Sequence, residues 1–225
     1  MTRIARLITT ILGLAATGGA NANANANENT TANPARQWIA EQSAHQAEWT
    51  DHGPLSLDSG KIFFGDPTWG DEYHIRDPRP APAPELRVWT LDAPDGRALV
   101  VWLEATGNAP VSRGPQADFG MDAAMFAFGD LAGGQALVTL GEQLQDEGKG
   151  DSYAWLWPQI ESDRYYAKWL PIPPDDKPIF VVGTGMDGGL GAVWLLDQTN
   201  AVSGLLIDIA GRASDGRFID LLLPQ

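Results

Sequence analysis

The chain has 225 residues, 44% of them hydrophobic and 20% charged, which is enough apolar material for one substantial core. Asp plus Glu number 29 against 15 Lys plus Arg, a net charge of −14 that argues against partners made of phosphate, both nucleic acids and anionic membrane surfaces. The absence of cysteine excludes disulfides, thiolate catalysis, Cys-ligated metals and a lipid-modified N-terminal Cys.

Residues 1–26 read as a secretory signal and its cleavage region. Arg3 and Arg6 form a positive start, Leu7 to Ala16 an apolar stretch, and A-x-A sites follow from Ala20 to Ala26. The apolar stretch falls short of the roughly 20 residues that span a bilayer, so no membrane insertion is expected after cleavage. Cleavage between Gly19 and Asn27 is expected, with the mature protein in the periplasm or secreted. Cleavage after Ala26 would leave 13 basic against 29 acidic residues, a net charge of −16. Residues 27–33 continue an Asn/Ala linker, and 34–225 are expected to form a single β-rich domain.

Asn33-Pro34 is a good helix start, because Asn caps free amides and Pro lacks the N–H that the first turn leaves unpaired. Trp38, Gln42, His45 and Trp49 share one face, which predicts a helix from about 34 to 49. Leu55 to Phe64 predicts two strands paired around Asp58-Ser59-Gly60. Four prolines between Asp77 and Pro84 predict an extended segment. Leu86–Leu91 and Ala98–Glu104 flank Pro94-Asp95-Gly96, a hairpin signal, and the apolar run from Leu99 to Leu103 marks a central strand. Leu137, Leu140 and Leu144 predict a helix over Gly133–Gln145. Residues 146–178 read as an aromatic, polar, Pro-containing insert.

Four apolar runs close the chain, at Ile179–Val182, Ala192–Leu196, Leu205–Ile209 and Phe218–Leu222. With turn residues between them they predict an antiparallel β-meander. The fold class expected is therefore α+β, mainly antiparallel β, with two or three peripheral helices.

Catalytic signals are sparse. The three histidines, His45, His52 and His74, lie at no metal-ligand spacing, and no nucleophile elbow or phosphate loop is present. No catalytic residue, metal or cofactor is expected. Acidic residues do gather near glycine at Asp58-Ser59-Gly60, at Asp118 to Asp122 and at Thr184 to Gly189. Such residues make tight turns, with Asp capping amides. Asp58, Asp122 and Asp187 could instead serve a glycan or peptidoglycan hydrolase as paired carboxylates, the alternative reading. A calcium-binding role is weaker, since the D-x-[DN]-x-[DN]-G loop is missing. Asp187, between Gly185 and Gly188, is expected to matter for folding rather than turnover.

Nine tryptophans are many for this length. Trp102 and Trp194 fall inside strand patterns and are expected in the core. Trp155, Trp157, Tyr165 and Trp169 fall in the insert, among Asp146, Glu147, Asp151, Glu161, Asp163, Asp175 and Asp176. Aromatic anchors within an acidic rim fit the surface that meets a basic protein partner.

Three segments in order resemble one bacterial family. S-L-D-S-G-K-I-F-F-G-D-P, residues 56–67, is similar to an opening D-S-G … D-P motif through Asp58, Gly60 and Asp66. A-D-F-G-M-D-A-A-M-F-A-F-G-D, residues 117–130, is similar to a middle motif through Asp122 and Asp130. T-G-M-D-G-G-L-G-A-V-W-L-L-D, from Thr184, with G-L-L-I-D ending at Asp208, resembles a closing motif through Gly185, Asp187, Gly188 and Asp208. The family is the domain of unknown function 4241. The chain departs from it at Thr184, Met186, Leu190 and Ile209, swaps that fit a folding role for the loop. The resemblance implies a β-rich fold and a place beside bacterial toxin–immunity systems. With the export signal, it leads to an expected exported, acidic, non-enzymatic immunity protein that occludes a toxin.

Overall fold

The computed structural model describes residues 33–42, 47–68, 79–116, 119–161 and 165–209. The export segment, His45, Trp69, His74, Asp118, Asp163 and the strand expected at 218–222 lie outside them.

Helix α1 (Pro34–Gln42) leads to β1 (Glu48–Ser56), β2 (Lys61–Gly65), β3 (Arg79–Pro80), β4 (Glu85–Asp92) and β5 (Ala98–Glu104). The middle of the chain forms β6 (Ser112–Gln116), β7 (Phe119–Met121), β8 (Met125–Asp130), α2 (Leu131–Asp146) and α3 (Ser152–Ile160). The last described elements are β9 (Ala167–Ile172), β10 (Lys177–Gly183), β11 (Gly188–Leu196) and β12 (Val202–Asp208).

These strands make two antiparallel sheets. The larger runs β1-β4-β5-β12-β11-β6, with β7 also on β11; the smaller runs β3-β2-β8-β10-β9. The fold is thus α+β with antiparallel β.

The sheets face each other across one apolar layer. Phe126, Phe128, Phe180 and Val182 of the smaller sheet meet Leu103, Trp194, Leu205 and Ile207 of the larger. The alternate residues point outward but are also buried. Trp89, Val100, Trp102, Val193 and Leu206 lie under α1, and Ala127, Ile179 and Val181 lie under α2 and α3. Covering both faces explains why β5, β10 and β12 read as continuous apolar runs rather than alternating ones. Trp102 and Trp194 are core residues, as their strand positions required.

α1 is nine residues long, shorter than expected. Asn33 caps it through Oδ1, which accepts from the Ala35 and Arg36 amides at 2.9 and 3.3 Å. Trp49 lies not on this helix but on β1, opposite Leu91. Trp38 and Trp49 nevertheless reach the same apolar cluster. Arg36 fixes the helix to the sheet: its guanidinium lies 3.6 Å over the Trp89 ring, and its Nε is 3.3 Å from Glu104 Oε2. Burial pulls both charges toward neutrality, lowering the Arg36 pKa and raising that of Glu104, while their mutual attraction opposes the shift.

The β4–β5 hairpin closes at Pro94-Asp95-Gly96 as expected, with the Gly96 amide donating to the Ala93 carbonyl at 2.9 Å. The turn at Asp58-Ser59-Gly60 is real, but it joins no hairpin. β1 pairs with β4, whereas β2 pairs with β3 and β8, so the chain changes sheet there. It changes sheet again between β10 and β11. The C-terminal strands are antiparallel as expected, but they form the β9–β10 and β11–β12 hairpins, one in each sheet.

Candidate functional site

The three motif segments converge. Their centre is Asp66, a fully buried carboxylate at the end of β2. Its Oδ2 accepts from the amides of Asp122 and Ala123 at 2.6 and 2.9 Å. Its Oδ1 accepts from the amide and hydroxyl of Thr68 at 2.8 and 2.6 Å. Ala124, next along, accepts through its carbonyl from the Thr184 and Gly185 amides at 2.8 and 3.3 Å. β7 then pairs with the start of β11, setting Gly120 opposite Gly189 and Met121 opposite Gly188. Asp130 makes a second tie. It caps α2 by accepting from the Ala132 amide at 2.8 Å, and its other oxygen accepts from the Ser59 amide and hydroxyl at 2.9 and 2.7 Å.

This geometry decides what these carboxylates can do. Both oxygens of Asp66 are spent on four donors, and those of Asp130 on three. Neither is arranged to shuttle a proton or attack a substrate; each holds amides that a turn would leave unpaired. Gly185 and Gly188 have positive φ, 71° and 121°, the backbone such a loop needs. Asp58, Asp122 and Asp187 are exposed at turns around this node. Asp208 is buried at the end of β12, opposite Val100 and Gly191. Asp187, for which a folding role is expected, is exposed in the facing loop, whereas Asp66 is the carboxylate buried at the node. Among the described residues no group of three or more His, Cys, Asp or Glu is placed to hold a metal ion. No helix among them is long and apolar enough to cross a membrane.

The aromatic insert is ordered in a way its sequence hid. Residues 152–160 are helix α3, with Asp151 as its cap, accepting from the Ala154 amide at 3.1 Å. Ser152, Leu156 and Ile160 form the buried stripe. Trp155 is half-buried against the same cluster. Trp169 is drawn inward: its indole N–H donates to the His52 carbonyl at 2.7 Å, and its ring meets Phe180 edge-on at 5.0 Å. It ties the smaller sheet to β1 and is not a free anchor. Tyr165 is half-buried beside Gly185, where an added Cβ would lie 3.5 Å from its ring. Tyr166, its neighbour, packs on Gly183, and burial, with smaller contributions from Tyr153 and Asp66, raises its phenol pKa well above the usual value.

Trp157 is different. It is 44% exposed, and Tyr153, one turn earlier, is 38% exposed. Their ring centroids are 5.7 Å apart with planes 33° from parallel. The four-residue spacing of Tyr153 and Trp157 is the sequence signal that places the two rings side by side on a helix. α3 contains no charged residue, and an exposed carboxylate stands at each end, Asp151 and Glu161.

His52 marks a second unforeseen contact. Its Nε2 is 2.8 Å from Thr90 Oγ1, and its ring lies edge-on to Phe180 with centroids 4.8 Å apart. Burial lowers its pKa below the ordinary 6.5, and nearby Asp92 and Asp51 only partly oppose this. Asp51 is itself paired with Arg87. The unfolded chain therefore takes up this proton more readily than the folded one. The contribution of His52 to stability is complete above pH 6.5 and is lost as pH falls from there toward its depressed folded value. In urea unfolding, His52→Gln, which keeps a polar group near Thr90, is expected to flatten the loss of stability between pH 7.5 and 5.5. An unchanged slope would assign that loss to other groups.

Comparison with protein-family models, curated proteins and solved structures finds no match for this chain.

Proposed function

We propose that this chain is an exported, acidic, non-enzymatic binding protein, and that it acts as an immunity protein, neutralising a basic toxin or effector in the periplasm by covering its working surface. The observation that carries the reading is the outward face of α3, where Tyr153 and Trp157 stand in solvent on a helix without charges. Large aromatics placed this way are the residue types that dominate protein interfaces. The negative charge of −14 speeds the approach of a positive partner. Asp66 and Asp130 are engaged in holding turns, which leaves Asp58, Asp122 and Asp187, exposed at turns around them, as the carboxylates of the hydrolase alternative. The likeness to the domain of unknown function 4241 rests on the three segments that meet around Asp66, and their convergence supports reading them as one folding unit.

Stoichiometry tests the proposal. Mature protein is titrated into a candidate exported effector, sought first in the adjacent gene, and effector activity is followed. Occlusion predicts a linear loss that is complete at one equivalent. Activity that persists at molar excess would refute it. So would complete loss at a small fraction of an equivalent, or clearing of a cell-wall gel by the protein alone, since both signify turnover.

A further inference from the structure

We infer that the outward face of α3 is a seat for an arginine side chain carried by the basic protein partner, an inference that rests on the binding reading above.

The first ground is that α3 does not need this face in order to fold. Ser152, Leu156 and Ile160 already fasten it to the smaller sheet, and Asp151 caps it. The tilted Tyr153–Trp157 pair, 5.7 Å between centroids, offers its π surface to solvent instead. The second ground is charge. Carboxylates stand at both ends of the helix and none of its own residues is basic; the one ammonium placed on it among the described contacts, Lys168 Nζ, is held by the Gln159 carbonyl at 2.6 Å, so the charge of the chain as a whole, −14, favours a cation over an anion. A second copy of this chain is the poorer occupant, because each molecule carries −14.

The third ground is how the protein holds its own arginines. Arg36 lies 3.6 Å over the Trp89 ring and pairs with Glu104. Arg87 lies 5.4 Å from the same ring and pairs with Asp51. An aromatic face with a carboxylate partner is thus the combination this fold uses to bind a guanidinium, and α3 presents an exposed aromatic pair on a helix with a carboxylate at each end. Arginine fits better than lysine because its planar, weakly hydrated group stacks on a ring while its N–H groups still reach a carboxylate.

The test uses the mature chain with hexa-arginine and hexa-lysine peptides of equal charge. Binding is followed through the Trp157 indole N–H resonance, assigned with Trp157→Phe. Hexa-arginine is expected to shift that resonance and to bind about three- to fivefold more tightly than hexa-lysine. Tyr153→Ala, followed through the same resonance, and Trp157→Leu, which lacks the reporting indole and is titrated by calorimetry instead, should each reduce that preference at an unchanged melting temperature. Equal affinity of the two peptides for the native chain would overturn the inference, as would a preference that survives both substitutions. The two readings fail separately. Neutralisation of the effector without arginine preference removes this inference alone, and preference without neutralisation removes the proposed function alone.

Discussion

Asp66→Ala is expected to destabilise the protein by about 3–5 kcal/mol. The side chain is fully buried and accepts four hydrogen bonds. Its removal strands the amides of Thr68, Asp122 and Ala123, and each buried donor left unpaired costs roughly 1–3 kcal/mol, less where water can enter. Asp66→Asn is the informative companion. An amide keeps one acceptor but turns an NH2 toward donors on its other side, so it should recover only part of the loss. Asp187→Ala, at an exposed position in the facing loop, should cost less than Asp66→Ala, because water can replace an exposed acceptor. Urea unfolding of the three variants measures the series. If Asp187→Ala proves as costly as Asp66→Ala, the node is not centred on Asp66.

A second large effect is expected at Gly204→Ala. This residue lies within β12, paired with Glu104 on one side and Leu195 on the other. An added Cβ would run into the Trp102 ring and stand 2.5 Å from the Leu103 carbonyl oxygen. Trp102 is fully buried and cannot swing away without opening the layer under α1. The Leu103 oxygen is backbone of the neighbouring strand. Overpacking of cores costs typically 1–3 kcal/mol, and a clash with backbone belongs at or above the top of that range, so about 3 kcal/mol or more is expected. Trp102→Leu in the same chain should recover part of the loss, because it removes one of the two obstacles. A double-mutant cycle gives the coupling. Independent, additive effects would show that the ring is not what Gly204 makes room for.

Local features of this fold were legible from the chain. The β4–β5 hairpin declares itself through Pro94-Asp95-Gly96, and α2 through leucines at helical spacing, because a turn or a helix is decided by residues within a few positions. Pairing over distance was not. Asp58-Ser59-Gly60 has the same turn chemistry whether the strands beside it join each other or part into two sheets. Asp66-Pro67 reads as an ordinary turn, since the amides that Asp66 holds come from Asp122 and Ala123, which no local pattern links to it.

The candidate surface was half legible. The aromatic richness of the insert pointed to it, but three rings of similar appearance have different fates. Trp169 is used to join β1 to the smaller sheet, Trp155 to shield α2 and α3, and Trp157 alone of these is left in solvent. Pro158 hid the helix that sorts them. Its ring suits only the first turn of an isolated helix, yet here it lies near the C-terminal end, where the Ser152, Leu156 and Ile160 stripe holds the turn in place. Asp151, three residues before the Ala154 amide it caps, was the available signal for a helix start.

The most direct test of the central claim measures Trp157→Ala twice, by thermal melting and by its dissociation constant for the basic effector that the proposed function requires. A partner-facing ring predicts a melting temperature close to that of the native chain and an affinity lower by about 2 kcal/mol, roughly thirtyfold. A marked fall in melting temperature with native affinity in the folded variant would show that the ring serves the core, and would contradict the account.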